Sequence, residues 1–108
     1  LWVDDLLDLF QAAVERIDVA AGQVYNVGGG PANTLAVWHE LGPMLEAQLG
    51  RTIAVRYDDW RPGDQRIFVA NILKAEQELG WQPIVGKQEG VRRLYEWVAA
   101  NQGLFGGP

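Results

Sequence analysis

The sequence has no cysteine, a single histidine and only two lysines. Without cysteine, disulfides, thiolate catalysis and cysteine metal sites are excluded, and His39 alone cannot build a multi-histidine metal centre. We therefore predict no metal ligands. No apolar run approaches the roughly 20 residues that a helix needs to cross a bilayer, and no positively charged region precedes the apolar start of the chain. We expect a cytoplasmic protein with no membrane partner.

Positive charge is also scarce. Nine Lys and Arg residues face fourteen Asp and Glu residues, which leaves a net charge of −5. A general nucleic-acid binder needs a basic face to neutralise phosphates, so this balance argues against nucleic acid as a partner. The chain is instead rich in apolar residues: 48% of its 108 residues are hydrophobic, and five are tryptophan. That composition suits one small domain with a core and a thin margin of stability.

Helical periodicity, capping residues and glycine stops predict about four helices. They span approximately residues 4–21, 33–49, 71–79 and 88–101. Asp4 and Asp5 are expected to cap and charge the start of the first helix, because carboxylates stabilise the free N–H groups there. Pro43 has no N–H to donate to the carbonyl of His39, so we predict a kink or break in the second helix.

Three short apolar segments are predicted to be strands: Val24 to Val27, Ile53 to Tyr57, and a brief edge strand from Ile67 to Val69. Strand, helix and strand in succession suggest a parallel βαβ unit. The predicted fold is therefore mixed α/β, with a two- to three-stranded sheet wrapped by about four helices. We expect residues 1–105 to form this domain and residues 106–108 to be a disordered tail.

The segment Arg61-Pro62-Gly63-Asp64 is the most specific local feature. Proline suits the second position of a β-turn and glycine the third position of a type II turn, so Arg61 and Asp64 should end one turn within about 7 Å at Cα. A guanidinium binds phosphate oxygens bidentately and a carboxylate accepts hydrogen bonds from hydroxyl groups, which suits a nucleoside diphosphate. From spacing alone, a surface ion pair worth about 0–1 kcal/mol is the simpler interpretation.

Five motifs follow one another in order along the chain. They are Trp2-Val3-Asp4-Asp5-Leu6, Tyr25-Asn26-Val27-Gly28-Gly29-Gly30, Arg61-Pro62-Gly63-Asp64-Gln65-Arg66, Lys74-Ala75 with Leu79-Gly80-Trp81-Gln82-Pro83, and Glu89-Gly90. In this order they resemble the carboxy-terminal region of the extended short-chain dehydrogenase/reductases, the NAD-dependent epimerase/dehydratase family. The likeness extends to about Phe105. Within the family, residues 60–66 and 34–50 are most similar to the CDP-paratose 2-epimerase (CDP-tyvelose epimerase) branch.

The resemblance implies roles for the turn and its neighbours. Arg61 matches the family arginine that contacts the substrate diphosphate, and Asp64 matches the acid that contacts the nucleotide ribose. Trp60, Gln65 and Arg66 flank these two residues and are expected to help bind the substrate. With the resemblance included, we favour a binding role for Arg61 and Asp64 over a plain surface ion pair.

Two departures from the family pattern imply that this chain carries no catalytic residue and binds no cofactor. The family's catalytic pair is Tyr-x-x-x-Lys, but the residues four positions after the three tyrosines are Gly29, Arg61 and Ala99. The family's amino-terminal glycine-rich NAD loop is also missing. The resemblance therefore implies a fragment of a larger Rossmann-type enzyme, in which NAD binds outside these 108 residues. We expect the chain alone to be inactive.

The segment from Gly28 to Asn33 offers a competing interpretation, because it follows a predicted strand and precedes a predicted helix, as a dinucleotide loop does. Its sixth position is asparagine, Pro31 removes a phosphate-facing N–H, and Asp58 comes later than the usual spacing of about 20 residues. A divergent NAD-binding half-domain is thus one alternative. A free-standing nucleotide-sugar-binding module and a purely structural fragment are two others.

The partners that follow from the resemblance are a nucleotide-diphosphate sugar and a missing NAD-binding domain. Removing such a domain would uncover apolar surface, and exposed apolar surface promotes self-association. We therefore also expect homo-oligomers at high protein concentration.

Overall fold

The computed structural model describes residues 1–106, and within that range it is built from helices and irregular segments. The α-helices are Val3–Glu15 (α1), Ile17–Ala20 (α2), Leu41–Leu49 (α3), Leu73–Leu79 (α4) and Lys87–Ala100 (α5), and short 3-10 helices span Pro31–Asn33 and Gln102–Phe105. The chain divides into two compact units. The first unit comprises Leu1–Thr34 and Ile67–Lys87; the second comprises Leu35–Arg66 and the chain from Gln88 onward.

The first unit contains a small hydrophobic core in which α1, α2 and α4 contact one another. Its buried side chains are Leu9, Ala70, Ile72, Ala75, Leu79 and Trp81. Six partly buried residues, Leu6, Ala12, Ala13, Ala20, Tyr25 and Val27, pack against that cluster. The tryptophan side chain is also fixed by a hydrogen bond, because Trp81 Nε1 donates to the backbone carbonyl of Asp5 at 2.7 Å. Trp81 thus joins α1 to the segment that follows α4.

The second unit is more loosely packed. Among the described residues, every buried hydrophobic side chain belongs to the first unit. The second unit relies on local aromatic contacts: the Trp38 ring covers Gly42, where an added Cβ would lie 3.0 Å from the indole. Trp97 and Phe105 make an edge-to-face pair with ring centroids 5.9 Å apart. Trp97 is half exposed, so this pair lies at the surface of the second unit.

The predicted sheet and βαβ unit are wrong. Within residues 1–106 the structure contains no strand, and the segments predicted as strands are irregular. A strand requires a ladder of backbone hydrogen bonds to a neighbour, and none is formed by these segments within residues 1–106. Two of their backbone groups are bonded by side chains instead. Ile53 N–H donates to Glu46 Oε1 at 2.8 Å, and the Val24 carbonyl accepts a hydrogen bond from Lys74 Nζ at 3.1 Å. Periodicity identified apolar segments but could not supply partners for them.

The ends of the helices agree better with prediction than their starts. The second helix was predicted from about residue 33, but α3 spans only Leu41–Leu49, and residues 34–40 are not α-helical. Pro43 therefore lies in the first turn of α3, where a missing N–H costs nothing, and it neither kinks nor breaks a longer helix. Gly50 and Gly80 end α3 and α4 with φ of +67° and +65°, the left-handed conformation that glycine adopts without strain. Of the predicted disordered tail at residues 106–108, the last two lie outside the described residues.

Candidate functional site

The segment from Arg61 to Asp64 forms the predicted turn. The Asp64 N–H donates a hydrogen bond to the Arg61 carbonyl at 3.1 Å, which closes the four-residue β-turn. Gly63 has a φ of +81°, a value that suits the third position of a type II turn and strains any residue with a Cβ. Proline and glycine thus place the first and last side chains of the turn next to each other.

The guanidinium and carboxylate at the two ends of the turn form an exposed, two-pronged ion pair. Arg61 Nη2 lies 3.2 Å from Asp64 Oδ1, and Arg61 Nε donates to Asp64 Oδ2 at 3.2 Å. The Arg61 N–H also contacts Oδ2, at 3.3 Å. The arginine side chain is 85% exposed and that of Asp64 is 31% exposed. The arrangement can present a guanidinium edge to an anion and carboxylate oxygens to hydroxyl groups.

The flanking candidates form a second pair beside the turn. The Arg66 guanidinium carbon lies 4.9 Å from the centroid of the Trp60 ring, a cation–π contact. Trp60 is well exposed, and Gln65 is exposed between the two pairs. The structure therefore brings Arg61 to Asp64 and Trp60 to Arg66, and it groups all five predicted binding residues in one surface segment. An exposed aromatic ring and a guanidinium fork on adjacent residues offer stacking and anion contacts together.

A polar cluster in the first unit was not anticipated from the sequence. Tyr25 Oη donates a hydrogen bond to Glu78 at 2.7 Å, and Lys74 Nζ lies 4.9 Å from the centroid of the tyrosine ring. Lys74 and Glu78 lie four residues apart on α4, so they share a helix face. That spacing is the one sequence feature from which their proximity could have been predicted.

The Tyr25 cluster does not replace the missing catalytic pair. The hydrogen bond to Glu78, burial and the negative charge of that carboxylate together raise the pKa of Tyr25 to about 12. A tyrosine that exchanges protons near neutral pH needs a lowered pKa, whereas Glu78 raises the pKa of Tyr25 and outweighs the lowering effect of the Arg16 charge. We assign the cluster a structural role, in which Lys74 also bonds Gln23 at 2.9 Å.

The glycine-rich loop at Gly28 to Asn33 does not fit a dinucleotide. In the described part of the chain no strand precedes it, and only the three-residue helix Pro31–Asn33 follows it. Close packing explains why position 28 is a glycine, because a Cβ there would lie 2.9 Å from the Ala70 Cβ. Asn33 fills the loop from within: Nδ2 donates to the Gly29 carbonyl at 2.8 Å and Oδ1 accepts the Lys87 N–H at 3.0 Å.

Asp5 has a different role from the predicted helix cap. Its side chain is 1% exposed and accepts hydrogen bonds from the N–H groups of Ile84 and Val85 at 3.1 and 3.0 Å. The carboxyl group thus holds the segment after α4 against α1. Periodicity placed Asp5 on a helix but could not show which distant backbone groups it would meet.

Residues 1–106 contain neither a metal-ligand cluster nor a membrane-spanning helix. No cluster of three or more acidic or histidine side chains there could hold a metal ion. No helix in the same range is both long enough and apolar enough to cross a membrane.

Comparison with known proteins links the chain to sugar-nucleotide enzymes. No family model matches it. CDP-paratose 2-epimerase of Salmonella typhi is 30% identical over 100 residues, which are 93% of this chain and 29% of that protein. UDP-glucose 4-epimerase 1 of Oryza sativa subsp. japonica is 33% identical over 110 residues, covering 98% of this chain and 30% of the relative. The dTDP-glucose 4,6-dehydratase of Salmonella typhimurium is 31% identical over 86 residues, which cover 75% of this chain and 24% of that protein.

The matches to three differently named enzymes agree with the order of the motifs from Trp2 to Gly90. The chain spans about three tenths of the length of the first two of these relatives. On this agreement of motifs and matches, the chain belongs to the extended short-chain dehydrogenase/reductase family, the NAD-dependent epimerase/dehydratase family.

Proposed function

We propose that this chain is the nucleotide-sugar-binding, carboxy-terminal part of a cytoplasmic NAD-dependent sugar-nucleotide epimerase or dehydratase. An isomerase resembling CDP-paratose 2-epimerase is our specific candidate, because that enzyme is among the relatives that match over most of the chain. Its reaction type would be oxidation, inversion and reduction at C2 of a CDP-deoxyhexose. NAD and the proton-transfer residues would belong to the remainder of the parent enzyme, so the chain alone would be inactive.

The observation that carries the proposal is the guanidinium fork of Arg61, which is paired with Asp64 across the Pro62-Gly63 turn. Arg61 holds Asp64 with Nε and Nη2, and within residues 1–106 no hydrogen bond or ion pair involves the remaining amine, Nη1. That exposed edge can bind a diphosphate oxygen. A bound diphosphate would also draw the fork away from Asp64, whose oxygens would then be free for the ribose hydroxyls. Trp60 lies next to the fork and offers an aromatic face to the base.

Arg61→Ala tests the proposal in a titration of the chain with CDP-glucose, followed by calorimetry or by NMR shifts of backbone amides. We expect the substitution to weaken binding by about tenfold or more, since a charged hydrogen-bond partner is worth about 1.5–3 kcal/mol. Arg56→Ala is the matched control, because Arg56 is also exposed and pairs with Asp58 at 3.7 Å. The control should bind like the unmodified chain.

The same titration separates the alternatives. Equal affinities of Arg61→Ala and Arg56→Ala for CDP-glucose would refute the role of the turn. If the chain bound no nucleotide sugar at all, the remaining interpretation would be a purely structural fragment. A response to NAD that disappears when Gly28 and Gly30 are replaced would favour the NAD-binding half-domain. Nucleotide-sugar binding by a polypeptide whose gene encodes no Rossmann half would favour a free-standing module. The ratio of the affinities for CDP-glucose and UDP-glucose shows which nucleotide base the chain prefers.

A further inference from the structure

The chain between α3 and α4 contains a long run of exposed residues, which we call the strap. The strap is residues 54–69, and every one of them is exposed. It nevertheless carries large apolar side chains, each between 45% and 82% exposed: Val55, Tyr57, Trp60, Ile67, Phe68 and Val69. Contiguous exposed apolar surface marks interaction sites in soluble proteins. The strap therefore differs from an ordinary polar connection between two helices.

The strap is tethered at both ends. Immediately before it, the Ile53 N–H donates to Glu46 Oε1 of α3 at 2.8 Å. Immediately after it, Ala70 is buried, and Asn71 Oδ1 accepts the Leu73 N–H at the start of α4. Within residues 1–106, every hydrogen bond and ion pair of the strap joins two of its own members. Its ends are thus fixed, while nothing polar in the rest of the described chain holds the residues between them.

The candidate binding residues occupy the middle of the strap. The Arg61–Asp64 pair and the Trp60–Arg66 contact shape this middle, but neither reaches the two arms, residues 54–59 and 67–69. Ordering such arms costs conformational entropy, which must be offset by burial. The exposed apolar side chains of the arms can supply that burial, since they are already at hand on both sides of the turn.

We propose that binding of a nucleotide-diphosphate sugar at the turn orders the whole strap, so that both arms fold around the ligand and bury apolar surface. The inference rests on the proposed function, which supplies the ligand, and it extends the site beyond residues 60–66. The competing model is capture by the turn alone, with the arms unchanged. The two models differ in which peptide bonds and which side chains respond to the ligand.

Limited trypsin digestion separates the two models, because arginines recur at five-residue intervals from Arg51 to Arg66. The bond after Arg61 is resistant because a proline follows it. The bond after Arg56 reports on the backbone of the first arm, whether or not the arginine side chain contacts the ligand. Arg51 is exposed and lies outside the strap, so its bond is the internal control. Saturating CDP-glucose should slow cleavage after Arg56 by about tenfold and leave cleavage after Arg51 unchanged, since proteolysis follows the population of the open form.

Ile67→Ser tests the second arm without a protease. Ile67 and Ile84 are 82% and 81% exposed in the free chain, and Ile84 lies outside the strap, so Ile84→Ser is a matched control. Ile67→Ser should weaken binding of CDP-glucose by about fivefold, because ordering would bury part of this side chain. Ile84→Ser should bind like the unmodified chain. Thermal melts of both variants identify any loss of folding, and the digestion of the unmodified chain decides the matter if Ile67→Ser does not fold.

Failure of the strap differs from failure of the proposed function. Calorimetric binding of CDP-glucose with unchanged cleavage after Arg56 would overturn the strap and retain the function. Equal slowing after Arg51 and Arg56 would indicate general stabilisation and would also overturn the strap. If CDP-glucose did not bind, the proposed function would fail and the strap with it.

Discussion

Asp5 shows how one buried carboxyl group can organise a segment that is distant in sequence. Two consecutive N–H groups, of Ile84 and Val85, donate to its two oxygens, while its own backbone carbonyl receives the Trp81 indole. One residue of α1 therefore orders the chain after α4 through three hydrogen bonds. Because buried donors without partners are costly, this residue is more sensitive to substitution than its acidic neighbours on the helix.

Asp5→Ala should lower the free energy of unfolding by about 2–6 kcal/mol, because it leaves two partly buried N–H groups without acceptors at about 1–3 kcal/mol each. Asp5→Asn keeps one acceptor and should cost roughly half as much. Urea denaturation followed by tryptophan fluorescence measures both. Asp8→Ala is the control, since Asp8 is an exposed carboxylate on the same helix. A loss for Asp5→Ala no larger than that of the control would contradict the role of Asp5.

At the scale of elements, α5 is distinguished by the ion pairs on its surface. Within Lys87–Ala100 no residue is fully buried. Glu89 instead pairs with Arg92 and Arg93, both at 2.7 Å, and Arg92 also pairs with Glu96. Hydrogen bonds from Arg92 and then Arg93 lower the pKa of Glu89 to about 2. The helix thus carries a ladder of ion pairs one turn apart on its surface.

The ladder predicts a pH dependence for α5. Because the pKa of Glu89 is depressed by folding, its stabilising contribution should be complete above the ordinary value near 4.5 and lost as the pH falls through about 2. The stability difference between the unmodified chain and Glu89→Gln should follow that course in thermal melts. Arg92→Ala should raise the carboxyl pKa of Glu89 in an NMR titration. An unchanged pKa in Arg92→Ala would contradict the ladder.

Local features of the sequence predicted where helices end better than where they begin, and they did not predict the contacts between distant segments. Gly50 and Gly80 end helices where expected, and Asn71 Oδ1 accepts the Leu73 N–H at 3.1 Å at the start of α4, as a capping residue does. The turn at Gly63 was also predictable, because proline and glycine restrict their own dihedral angles. Strand pairing and the partners of Asp5 depend on long-range contacts, which periodicity does not encode. The binding role of Arg61 remains a prediction.

At the scale of the whole molecule, the two units differ in how they are stabilised. The first unit has a hydrophobic core, whereas residues 51–66 of the second unit are almost entirely exposed. Residues 51–66 are all described, and they contain a single backbone–backbone hydrogen bond, the one that closes the turn between Arg61 and Asp64. The candidate binding segment is therefore the less constrained part of the chain, as is common for segments that bind ligands.

Amide hydrogen exchange should reveal this difference. We expect backbone amides of α1 and α4 to be protected by the core, and amides of residues 51–66 to exchange at rates close to those of an unfolded chain. Mass spectrometry of peptic fragments measures both regions in one experiment. Saturating CDP-glucose should slow exchange around Arg61 without changing α1. Comparable protection of the two regions in the free chain would contradict the assignment of unequal stability.

The carboxylate that holds Arg61 also sets the electrostatics of the unliganded turn. An approaching anion meets a nearly neutral dipole on a molecule of charge −5, so long-range steering contributes little to its capture. In the proposed binding mode, entry would be an exchange of partners, in which the incoming group competes with Asp64 for the same guanidinium. A monovalent anion is a poor competitor, whereas a pyrophosphate brings several charged oxygens at once. The turn would thus select for ligand valence before any contact with the sugar is made.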